Sequence, residues 1–323
     1  MYIALVKNKL FEQEEVYQAI KSGETTSVQY SGYKDEKWGM RDNNYLSRMR
    51  LAYYLLYAHV DDEDTIVYLF QEELKDRKSN SFQGIGNTLN VLTSILKRYN
   101  NDGKYNGMLE EAKNANFDCA CGYDKNYHID DKVESLDLMD SIFLAQDLEY
   151  KDIMDVLVCK WKEGIIHWTE AQRNTLIRFN SFLGKEQENE KIYKVLLNNA
   201  ILSGKTFDIV SAFNKVIRYY IDIGRFEIAK SYLGKMIATT DFKEIEILRL
   251  FGDVLEECFE IISGGIKEPD ELWKWSKPYL KNKRNMYGNL YTKGIEAAKL
   301  VDHSYALELE QEYMVWKKQV GLK

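Results

Sequence analysis

Three soft ligands stand close together in the chain, Cys119, Cys121 and His128, in the order Cys-x-Cys-x6-His. A structural zinc site takes four ligands, in pairs separated internally by roughly two to four residues. The set is therefore a metal candidate that lacks a fourth ligand. The plainer alternative is a buried turn in which Cys serves as a small hydrophobe. Thiol catalysis would need a lowered pKa and a positioned base, and the sequence displays neither.

A second cluster is acidic. Residues 129–155 hold nine carboxylates, Asp130, Asp131, Glu134, Asp137 and Asp140 among them, against Lys132 and Lys151. Nine minus two leaves −7, the formal charge of the whole chain. Glu134, Asp137 and Asp140 are three apart, which predicts one side of a helix opposite Leu136, Met139 and Phe143. A charge run is ordinarily a solvated face. Read as a site, this one would steer and dock a basic partner protein. Acid/base or divalent-ion chemistry would need a converging His or a second cluster.

No familiar catalytic spacing supplies that convergence. The four histidines are scattered at 59, 128, 167 and 303. Phosphate-loop, nucleophile-elbow, zinc-protease and calcium-loop motifs are absent. Gly84-x-Gly86 is half of a dinucleotide fingerprint, with neither a preceding strand nor a third Gly at the required spacing. The expectation is a protein that is not an enzyme and carries no cofactor. Lys277, Lys281, Lys283 and Arg284 surround Tyr279, but a net charge of −7 repels a phosphate backbone, so no nucleic-acid partner is expected.

The elements that must position these residues are helical. Only Pro269 and Pro278 occur in 323 residues, where about 5% usage would give roughly 16. Asn44 to Val60 is apolar on two sides and predicts a buried helix. Thr25 to Asn44 reads as an aromatic-rich packed loop, and Thr169-x-x-Gln172 as a capping box. The most legible stretch is Phe207 to Ile237, where two helical stripes flank Ile223-Gly224-Arg225 and make a helical hairpin. A lone hairpin cannot bury both faces of its helices, which implies stacked neighbours.

Phe213, Val216, Tyr220, Gly224, Phe226, Ala229 and Leu233 resemble the tetratricopeptide repeat, with departures at Ile217, Met236 and Asp241. The resemblance covers one repeat, residues 207–240. It implies an α-solenoid of stacked antiparallel hairpins with little or no sheet, and carries over no functional residue. The expected division is a helical region at 1–125 and a helical-repeat region at 126–323, continuous with the first.

Four cysteines are too few for a disulfide scaffold. The longest apolar run, Leu51 to Val60, is shorter than the roughly 20 residues that span a bilayer, and the first residues do not fit a signal peptide. A cytoplasmic protein without a membrane partner is expected. In overall character the chain resembles the acidic immunity proteins of bacteria, which cover the active surface of a toxin. The other reading is a regulator that holds a peptide or small signal in a repeat groove.

Overall fold

Seven consecutive residues of one helix, Leu51 to Tyr57, are withdrawn from solvent. They belong to α3 in a computed structural model that describes residues 2–36, 38–80, 83–132, 135–281 and 286–321. A helix that is apolar all round must be enclosed by others. Here α1 (Tyr2–Phe11), α2 (Glu14–Lys21), α4 (Glu63–Lys78) and α5 (Asn87–Leu96) pack on α3 (Tyr45–Tyr57). The fold is all-α, with 71% of the chain helical.

The segment expected to be an aromatic-rich loop instead forms a small antiparallel hairpin, β1 (Gly32–Asp35) and β2 (Gly39–Asp42), in which Tyr33 lies opposite Arg41. Helix α5 starts only at Asn87, because Gly84 and Gly86 hold φ of +74° and +79°, outside helical space. Then come α6 (Asn106–Lys113), α7 (Phe117–Gly122), α8 (Leu138–Asp147) and α9 (Lys151–Glu163). Both α8 and α9 return to α1. The first unit therefore runs from Met1 to His167, past the expected 125/126 division, and the second from Trp168 to Lys323.

The second unit contains α10 (Glu170–Phe182), α11 (Asn189–Ser203), α12 (Thr206–Asp222), α13 (Phe226–Thr239), α14 (Phe242–Glu246), α15 (Phe251–Ser263), α16 (Pro269–Lys281), α17 (Gly288–Val301) and α18 (His303–Gln319). The expected hairpin is α12–α13. Its turn uses Gly224 at φ +71°, and Val210, Phe213, Ile217, Ala229 and Leu233 are all buried. Phe207, in the first turn of α12, is exposed. Thr169 caps α10 in a reciprocal box with Gln172.

The apolar stripe from Ile245 to Ile262 is divided between α14 and α15. Ile245 and Val254 are both fully buried, yet nine positions apart they would face opposite sides of a continuous helix. The break lets both reach the core. Helices α12, α15 and α17 lie beside one another in that order, with α13 against α15 and α16 against α17. No helix among the described residues is long and apolar enough to cross a membrane.

Candidate functional site

The cysteine motif does not assemble. Asn116 caps α7 by accepting the Cys119 N–H at 2.8 Å, which leaves Cys119 fully buried, while Cys121 and His128 are exposed. Two positions along a helix turn the side chain about 200°, so the thiols face apart. Burial pushes the Cys119 thiol up, away from thiolate character. Among the described residues no three His, Cys, Asp or Glu side chains gather as a metal site.

The acidic block is not the single helical face expected of it. Glu134 lies outside the described residues, and α8 begins at Leu138 with Asp137 as its extended N-cap. Asp137 accepts the Asp140 N–H at 2.8 Å and donates its own N–H to Asp140 at 3.2 Å, a reciprocal capping box. Asp130 accepts from the Lys132 N–H and the Ser135 hydroxyl, which hold its carboxyl below the ordinary range. Asp131 pairs with Arg98 at 2.9 Å. Asp130, Asp137 and Asp140 shape their own turns.

A charged face that periodicity did not reveal crosses the second unit. Arg218 of α12 pairs with Glu260 of α15, and Lys293 of α17 pairs with Glu256 and Glu260. Glu256 and Glu260, four apart on α15, thus bridge the helices on either side. Glu257, one step round toward the core, is fully buried, with Arg218 Nε 3.7 Å from Oε1 and no hydrogen bond on either oxygen. Burial pushes its pKa up to about 9; Arg218 opposes that rise, while Glu260, Asp253 and Asp222 add to it. For Lys293, burial works against the charge, but Glu256 and Glu260 outweigh it and raise the pKa. The face holds exposed Asp222 and Asp253 and half-buried Glu260 around Arg218 and Lys293, with Glu256 buried beneath Lys293 and the Glu257 pKa raised above neutral pH.

The first unit holds a second charged group. Arg48, wholly buried in α3, approaches Asp42 of β2 at 2.6 Å and Glu73 of α4 at 2.9 Å, and donates to the Val28 carbonyl at 3.0 Å. Arg77 meets Glu73 at 3.1 Å and pairs with Asp76. Its guanidinium also donates to the Gln83 carbonyl at 2.7 Å and lies over the Tyr45 ring. Two guanidiniums and three carboxylates thus tie the hairpin to α3 and α4. Burial pushes Glu73 up against the pull of Arg77 and Arg48. Above this network opens a cleft of about 450 Å³ whose lining includes Tyr33, Trp38, Arg41, Arg77, Gln83 and Glu149.

Neither constellation follows from spacing alone. The available signals were small: Arg48 inside an otherwise apolar helix, and Glu256-Glu257 inside the Val254–Ile262 stripe. No family model, curated protein or solved structure matches the chain.

Proposed function

We propose that this is a non-catalytic, cytoplasmic protein-binding molecule whose second unit is a tetratricopeptide-like helical repeat. It engages a basic partner protein along the face shared by α12, α15 and α17. One observation carries the reading: four carboxylates, with a fifth held neutral by burial, gather with Arg218 and Lys293 across three neighbouring helices. Such a face favours cationic side chains and speeds their encounter. The order of α12, α15 and α17, each packed against the helix that follows it in the chain, is in keeping with stacked hairpins. In its specific form the protein is an immunity-type inhibitor that covers the active surface of a basic toxin.

The test is capture of partners by wild-type protein and by a Glu256→Lys/Glu260→Lys variant, at low and at high salt. The variant and the high-salt wild type should both lose the partner, and the captured protein should be toxic when expressed alone. Equal capture by the two forms would remove the face from recognition.

A second reading is a peptide-holding regulator. A small cavity of about 180 Å³ between α10, α11 and α12 is lined by Tyr193, Asn199, Ser211 and Lys215 among others. It has room for one side chain of a bound segment. Tyr193→Ala would weaken such a peptide and leave a partner docked on the α15 face unaffected.

A further inference from the structure

We propose that the cleft of the first unit is a receptor for a zwitterion of amino-acid size, with a ligand carboxylate at Arg41 and a ligand ammonium at Glu149. This goes beyond protein docking on the second unit and does not depend on it.

The argument begins with two charges. Arg41 and Glu149 line the same cleft from different elements, β2 and the turn after α8, and both are exposed. Among the described residues neither side chain has an ion-pair or hydrogen-bond partner, and they are not paired with each other. The other charges of the lining are already engaged: Asp42 with Arg48, and Asp76 with Arg77. What remains available is one cation and one anion, the recognition set of a molecule that carries both signs.

The walls suit such a ligand in size and shape. The cleft volume of about 450 Å³ lies within the range of small-molecule sites, roughly 300–1,000 Å³. Tyr33 and Arg41 are cross-strand neighbours and so share a face of the hairpin. The exposed Tyr33 ring and the exposed Trp38 indole at the hairpin turn give the lining aromatic surface for the ligand's side chain. Asp42, Asp76 and Arg77 of the buried network reach the lining, and the network fixes the hairpin to α3 and α4 before any ligand arrives. A preformed wall lowers the ordering cost of binding.

Glu149 sits at a fixed turn, in a backbone conformation that His59 and Glu268 also adopt. It holds φ +53° just after α8, where Tyr150 N–H returns to the Ala145 carbonyl at 2.8 Å. That is the left-handed position at which helices usually place Gly.

Calorimetric titration with free arginine, lysine, phenylalanine and tryptophan tests the assignment, followed by the N-acetyl and amide derivatives of the amino acids that bind. Saturable binding is expected. Acetylation, which removes the ammonium, and amidation, which removes the carboxylate, should each weaken it about tenfold or more. Arg41→Gln should bind the free acid and its amide equally, and Glu149→Gln should bind the free and acetylated forms equally. Glu149→Gly should lose binding while unfolding at the same or a higher temperature, which separates ligand recognition from folding. No saturable binding up to about 10 mM, or equal affinity for the blocked derivatives, overturns the proposal.

Discussion

Arg48 Nε donates to Glu73 Oε2 over 2.9 Å, and both side chains are wholly out of solvent. Removing one partner of a buried ion pair leaves the other uncompensated. Arg48→Met should therefore lower the unfolding free energy by about 3–5 kcal/mol, measured by urea titration. Arg48→Lys should recover only part of the loss, because an ammonium cannot present the guanidinium fork to Asp42 and Glu73 together. A Met variant as stable as wild type would show that the network is not an integral part of the first unit.

Glu257 should make stability depend on pH. Its folded pKa is raised from 4.5 to about 9, so above the unfolded pKa the folded protein retains a proton that the unfolded chain releases. The stabilising contribution is complete below about pH 4.5 and is lost as pH climbs toward 9, with a slope of at most about 1.4 kcal/mol per pH unit. Urea midpoints of wild type and Glu257→Gln, taken from about pH 5 to about pH 9, should diverge, with the Gln variant flatter. Parallel curves would mean that Glu257 is already ionised in the folded protein.

Asp137 separates capping from docking. Asp137→Ala should cost about 1 kcal/mol through loss of the N-cap, whereas Asp137→Asn should keep most of that stability. Neither should alter capture of a partner that docks on the α15 face. Loss of capture by the Asn variant at unchanged stability would return recognition to the acidic block around Asp130.

Gly264 is required for space, not for backbone freedom. It lies at the end of α15 with φ −73°, open to any residue, but an added Cβ would collide with the Phe226 ring. Gly264→Ala should destabilise by about 1–3 kcal/mol through overpacking. In a double-mutant cycle Phe226→Leu should relieve part of that loss. Additive effects of the two changes would place the strain elsewhere.

Much of the helical framework was legible before the structure. The two-sided apolar pattern of α3, the Thr169 capping box and the α12–α13 hairpin around Gly224 depend on residues a few positions apart, which periodicity and turn chemistry report directly. Breaks were harder to read. The split between α14 and α15 arises because Ile245 and Val254 must enter one core, and the late start of α5 follows the backbone of Gly84 and Gly86. The carboxylates from Asp130 to Asp140 were visible as a composition, but a change in where α8 begins turned a presumed face into a cap.

The sequence by itself determined that this chain is a set of amphipathic helices with an acidic surplus, because helix formation and charge are properties of near neighbours. Only the tertiary structure decided which charges leave water. Arg48 meets Glu73 across 25 positions and Arg218 meets Glu257 across 39. A carboxyl's proton affinity and a cleft's unpaired charges depend on what is packed around them, and that is a relation between distant segments.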